Sequence, residues 1–93
     1  MQPNQQAQHY FVYIMGDQSQ PHLNIGVSKD LQHDMSLSEQ PNLHPKLVYY
    51  EHYDMEEIAR VRERHIKACS PEENLRLVES MNPNWLDLAD TLS

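Results

Sequence analysis

The sequence predicts an α+β domain: a small three-stranded, mostly antiparallel sheet flanked by helices, in the order β-β-α-β-α-α. Three observations carry that prediction. An aromatic, β-branched run at residues 10–16 is followed, across a polar turn, by a second short apolar run at 23–27, the pattern of a β-hairpin. A third run, Lys46 to Tyr53, is apolar and aromatic almost throughout. Two later stretches carry apolar residues at helical spacing, each opened by a capping pattern, and helices segregated onto a small sheet define the α+β class.

In chain order, residues 1–8 are Gln-rich and are expected to form a disordered tail, with a single domain over 9–93. The first strand is expected over 9–15, and the residues from Gly16 to His22 favour a turn. The second strand covers 23–27, where Gly26 admits close approach of backbone or ligand. Ser28 suits a helix N-cap and Asp30 the positive end of a first turn. Leu31 and Met35, four apart, extend a short helix to about residue 37. Residues 38–45 hold Pro41 and Pro45 and read as a loop.

The third strand, 46–53, is apolar enough to predict a central strand covered on both faces. Asp54 followed by Glu57 is a capping-box pattern for a helix from residue 55 to about residue 69. Its expected core face is Ile58, Val61, His65 and Ala68, with Met55, Ala59 and Ile66 alongside. Ser70 and Glu73 form a second capping box with Pro71 at the first helical position. That helix is expected to bury Leu75, Val78 and Met81 before Asn82-Pro83 stops it. Trp85, Leu86 and Leu88 then make an apolar tail expected to dock on the core.

Ninety-three residues support one modest core. The lone cysteine, Cys69, excludes an internal disulfide and a multi-cysteine zinc site. The start of the chain lacks the basic and apolar segments of a secretion signal, and there is no apolar run long enough to span a membrane. A bacterial-type cytoplasmic protein is the expectation. Fourteen acidic residues against seven basic ones give a net charge of −7. Four of the seven bases, Arg60, Arg62, Arg64 and Lys67, fall in one short stretch. A duplex-binding protein needs a basic face that neutralises phosphates, and the rest of this surface opposes one.

The Phe11-Val12-Tyr13 and Asn24-Ile25-Gly26 segments, the latter continued by Val27-Ser28-Lys29-Asp30-Leu31, resemble the paired signature of the GIY-YIG nuclease domain. Lys46-Leu47-Val48-Tyr49-Tyr50-Glu51, then Asp54, Ala59, Arg62-Glu63, Ile66-Lys67, Asn82-Pro83, Trp85 and Leu88, are similar to small single-domain bacterial members of that family. Those members are related to the N-terminal nuclease domain of the bacterial DNA-repair excinuclease. The resemblance implies a GIY-YIG-type fold and, in the family, DNA phosphodiester cleavage with one divalent metal, magnesium or manganese. It implies that Tyr13 stands for the tyrosine that helps activate water, Glu63 for the metal-holding glutamate, Gly26 for the second-motif glycine and Asn82 for an asparagine near the site. Three positions depart from the pattern. Asn24 stands where the second-motif tyrosine belongs, Asp34 where an arginine belongs, and Ser38 where a histidine is usual, with His33 nearby.

Phosphodiester cleavage depends on positioning and on cations that stabilise developing negative charge. An aspartate in place of an arginine puts a negative charge beside the phosphate, and Asn24 has no ionisable hydroxyl. A magnesium held by one carboxylate leans on phosphate oxygens and water for its other ligands. The expectation is lost or strongly reduced hydrolysis, with the domain acting as an interaction or regulatory module whose acidic surface suits a basic protein partner. An active metal-dependent endonuclease remains an alternative, with Lys29 or His33 in the vacated arginine's role. So does non-catalytic nucleic-acid binding through Lys29, Arg60, Arg62, Arg64 and Lys67. Plainer readings stand beside these. Tyr13 suits cross-strand packing. Glu63 and Lys67, four apart, suit a solvated helix ion pair, although Glu63 shares a side with Ala59 and Ile66. The four bases suit a solvated helix face, and residues two apart cannot point one way. The six histidines show no metal-ligand spacing, and Tyr49, Tyr50, Tyr53 and Trp85 suit packing more than base stacking.

Overall fold

The computed structural model describes residues 9–16, 23–31 and 46–91. Three antiparallel strands, β1 (Tyr10–Gly16), β2 (Asn24–Ser28) and β3 (Lys46–Tyr53), form one sheet in the order β2-β1-β3. Two helices follow, α1 (Glu56–Ala68) and α2 (Pro71–Met81), and then a short 3-10 turn at Leu88–Thr91. The architecture is α+β, and the three strands and two helices fall where the apolar runs place them, within a residue at each end. The short helix expected beyond Leu31 lies outside the described residues.

The central strand is β1, not β3. Phe11 to Met15 pair with Ser28 to Asn24 on one side, while Tyr10 to Gly16 pair with Tyr53 to Lys46 on the other. The apolar density of β3 has a different cause. Val48 is an extra residue in the ladder, because Ile14 faces Tyr49 and Met15 faces Leu47. Leu47, Val48 and Tyr49 are therefore all buried, on the two faces of an edge strand. The free edge is covered by the chain after α2. Asn82 donates from Nδ2 to the Val48 carbonyl at 3.1 Å, and Leu47 N–H donates to Asp87 Oδ1 at 3.2 Å. Lys46 Nζ donates to the Trp85 carbonyl. An unpaired edge is a template for unwanted strand pairing, and side chains occupy this one.

Each sheet face has its own apolar cluster. On the helix face, Tyr10, Val12, Ile14, Val48 and Tyr49 pack with Ala59 and Ile66 of α1, Val78 of α2 and Trp85. On the other face, Met15, Leu31 and Leu47 pack with Phe11, Tyr13, Tyr50, Leu88 and Ala89. The tail crosses from one face to the other around β3. Trp85 turns at a left-handed φ of 54°, rare for a non-glycine residue, which swings the indole inward so that it is 2% exposed. Its Nε1 donates to Glu79 Oε2 at 3.1 Å and its N–H to the Asn82 carbonyl, which hold the turn from both ends. Leu86, expected in the same apolar tail, is exposed.

Helix α1 reverses the expected burial. Ala59 and Ile66 are its buried residues, whereas Met55, Ile58 and Val61 are 52%, 48% and 60% exposed, and His65 and Ala68 are exposed too. The polar side chain on the inward stripe, Arg62, finds a partner on β3, so the stripe richer in carbon is left outside. The Asp54–Glu57 capping box does not form. The N-cap is Met55, one residue later, and no side chain caps the helix. The second box does form. Ser70 Oγ accepts from Glu73 N–H at 3.1 Å, and Glu73 Oε1 accepts from Ser70 N–H at 2.9 Å. That reciprocal pair holds the Glu73 carboxyl below its usual range. In α2 the buried residues are Asn74 and Val78, Leu75 is half-buried, and Met81 is exposed rather than in the core.

Candidate functional site

Strand register puts Phe11, Tyr13 and Met15 on the face away from the helices, beside Ser28, Gly26 and Asn24 of β2. Tyr13 faces Gly26 on one side and Tyr50 on the other. The Tyr13 ring lies over the glycine. A methyl group at position 26 would stand 2.6 Å from Tyr13 Oη and 2.7 Å from the carbon that bears it, so a larger residue displaces the ring. Tyr13, Gly26 and Asn24 therefore share one face as neighbours, with Asn24 exposed at the outer strand. Ser28, buried at the end of β2, accepts a hydrogen bond from Asp30 N–H at 3.1 Å, and Lys29 beside it is exposed. Asp34, His33 and Ser38 lie outside the described residues.

Glu63 is on α1, which packs on the opposite sheet face. Its Oε2 is 3.2 Å from Lys67 Nζ, one helical turn on. Glu63 is the carboxylate that would have to hold a divalent ion. A hard cation needs several oxygens. Among the described residues no group of three or more His, Cys, Asp or Glu side chains is placed to hold a metal. The donor set at Glu63 is one carboxylate already facing an ammonium, which fits a magnesium site poorly.

Asn82 has a different occupation from the one its place in the sequence implies. It is 3% exposed, and its amide is consumed by the fold. Nδ2 donates to the carbonyls of Val48 and Leu86, and Oδ1 accepts from Leu86 N–H at 2.9 Å. Asn82 is a clamp between the end of α2, the edge of β3 and the tail.

The basic stretch fans out around α1. Arg60 Nε is 3.0 Å from Glu56 Oε2 on the surface. Lys67 is taken up by Glu63. Arg62 points at the sheet and grips Glu51 of β3 with two bonds, Nε to Oε1 and Nη2 to Oε2, both 2.9 Å. Arg64 is exposed and makes no ion pair among the described residues.

The densest polar group in the described structure is the one around Glu51, which sequence reasoning did not single out. Glu51 also accepts from the hydroxyls of Tyr49 and Tyr53, so three side chains from β3 and α1 meet on one carboxylate. Burial pushes the Glu51 carboxyl up, but the hydrogen bonds from Arg62, Tyr49 and Tyr53 outweigh it and hold the group below its ordinary value. Burial, then the bond to Glu51, pushes the Tyr49 hydroxyl up to about 12 and raises Tyr53 in the same way. Arg62 is held more firmly charged by Glu51. The signal was a carboxylate at alternate positions between two tyrosines of an apolar strand, with an arginine on the next helix. Both carboxylate oxygens, both hydroxyls and the Nε and Nη2 of Arg62 are paired inside the fold, which makes the group a fastener between sheet and helix.

Two histidines also meet. His9 Nδ1 and His52 Nε2 are 2.7 Å apart at the exposed start of β1, and the His52 ring lies 5.1 Å from that of Phe11. Tyr49 and Trp85 are buried in the helix-face cluster. No helix among the described residues is long and apolar enough to cross a membrane. Set against known protein families, curated proteins and solved structures, the sequence matches none of them.

Proposed function

We propose that this chain is a GIY-YIG-type domain whose phosphodiester hydrolysis is lost or strongly reduced, and that it works as an interaction or regulatory module. The observation that carries this reading is the disposal of its cations. Arg62, Arg60 and Lys67 are each met by a carboxylate of the same domain, Glu51, Glu56 and Glu63. In the stretch where a phosphate would need positive charge, Arg64 alone is left without an ion pair among the described residues. Transition-state stabilisation by a positioned cation is the largest contribution that a nuclease site of this type draws on. Asn24 in place of a tyrosine, Asp34 in place of an arginine and the net charge of −7 act in the same direction. An acidic surface favours a protein partner with a basic patch over a nucleic-acid duplex.

The test is incubation of the purified protein with plasmid, branched and single-stranded DNA in magnesium or manganese, with Glu63→Ala beside the wild type. The expected result is no cleavage by either. Metal-dependent cutting by the wild type that disappears in Glu63→Ala would overturn the proposal. DNA affinity that falls steeply with added salt would replace it with non-catalytic nucleic-acid binding, because released counterions give that slope.

A further inference from the structure

Helix α1 carries a second stripe that nothing in the described structure covers. Ile58, Val61, His65 and Ala68 follow one another at intervals of three, four and three residues, the spacing of a coiled-coil seam. Ile58 and Val61 are about half exposed, and Met55 extends the strip at the start of the helix. The open flank of this strip is charged in a definite order. Glu57 stands in the first turn and Arg64 two turns further on, with Arg60 between them. Glu56 and Arg60 are already paired with each other, and so are Glu63 and Lys67. Glu57 and Arg64 are exposed and make no ion pair among the described residues. They border one shallow hollow together with Val61, Glu56 and Arg60.

We propose that this face of α1 is a self-association surface, and that its occupant is α1 of a second copy of the chain running antiparallel. The charge order selects that partner. In an antiparallel pair centred between Ile58 and Val61, Glu57 of each copy comes beside Arg64 of the other, twice by the two-fold symmetry. A parallel pair would instead set this flank against the partner's Arg62 side, which the sheet already occupies through Glu51. Val61 of one copy enters the hollow of the other, and the Ile58 side chains close over it. The apolar strip is a few half-exposed side chains, fewer than the roughly 20–30 residues a side of a standard stable interface, so the dimer is of the weak class. The seam does not depend on whether any hydrolysis survives, and the cleavage assay and the mass measurement fail independently.

Sedimentation velocity or light scattering of the wild type from micromolar to millimolar concentration tests it. The average mass should rise from one chain to two. Val61→Glu should stay monomeric with an unchanged helical circular-dichroism signal, and Val61→Lys serves if the glutamate disturbs folding. Glu57→Arg and Arg64→Glu should each weaken the dimer by roughly five- to tenfold, and the double exchange should restore it to within about twofold of the wild type. A wild type that is monomeric at every concentration overturns the proposal. So does a dimer that tolerates Val61→Glu. A dimer that is lost in Val61→Glu but indifferent to the charge exchanges overturns the antiparallel arrangement.

Discussion

On one side of α1, Ala59, Arg62 and Ile66 meet the sheet; on the other, Met55, Ile58 and Val61 meet water. The outward side has more large apolar side chains than the inward one. The inward side has the shape that fits. Ala59 brings the helix close to the strands, Ile66 fills the cluster with Val12 and Ile14, and Arg62 reaches a carboxylate placed for it on β3. Fit and partner availability, not carbon count, decide which stripe of an amphipathic helix is inside. The stripe left outside is the one proposed above to pair with a second copy of the chain.

The largest effect that separates the two sides is a truncation on each. Ile66→Ala removes a side chain that is 1% exposed and leaves a cavity, at a cost of about 2–5 kcal/mol. Ile58→Ala, on the same helix, should change stability by no more than about 0.5 kcal/mol. Urea unfolding at low protein concentration, where any dimer is dissociated, measures both. Equal losses would mean that the outward stripe is part of the core.

The same logic separates what could be read in the sequence from what could not. Strand positions, the hairpin and the bounds of α2 follow from local chemistry: β-branched and aromatic runs, polar residues between them, and a capping box with proline at the first position. The face of α1 does not, because Ile58-Val61-His65 and Ala59-Arg62-Ile66 both satisfy helical spacing, and the choice rests on Glu51, eleven residues before Arg62 in the chain. The place of β3 in the sheet does not either. Its apolar run results from a bulge at Val48 and from a tail that returns over its edge, and both are long-range facts. Of the candidate site, Tyr13, Gly26 and Asn24 share one face through simple register. The role of Asn82 could not be read, since a buried asparagine that bonds three backbone groups looks the same in sequence as one that touches a ligand.

A second, smaller effect probes the polar part of the inward side. Glu51→Gln keeps the shape but leaves the Arg62 charge half-buried without its counter-charge, and should cost about 1.5–3 kcal/mol near neutral pH. The pH dependence gives the sign. The Glu51 carboxyl lies below its ordinary 4.5 in the folded state, so its contribution is present above that value and lost as pH falls through the lower folded one. The Tyr49 hydroxyl moves the other way, from 10.0 to about 12, so its contribution is complete below pH 10 and lost as pH rises between those values. Stability of the wild type should therefore form a plateau that falls at both ends. In Glu51→Gln the acid-side fall traceable to this group should vanish, and the alkaline fall should shrink without vanishing, because burial is the leading reason that Tyr49 is raised. A variant whose profile runs parallel to that of the wild type at all pH would show that Glu51 does not join the helix to the sheet in solution.

The smallest effect compares the beginnings of the two helices. Both follow an acid- or hydroxyl-bearing residue with a glutamate three positions on, and only one uses it. Ser70 and Glu73 bond each other's backbone N–H groups, whereas at α1 the cap falls on Met55 at φ −125° and ψ 132°, which puts Asp54 outside the helix and Glu57 one place short of reaching back. The first turn of α1 is left to the helix dipole and to Glu56 and Glu57, which satisfy it by charge rather than by a specific bond. Ser70→Ala should then cost about 1 kcal/mol, and Asp54→Ala only a few tenths. Comparing their denaturation midpoints checks this. An equal loss in the two variants would mean that Asp54 does cap α1. The helix would then begin one residue earlier, with Met55 as its first helical residue and Glu57 at the position that reaches back to Asp54.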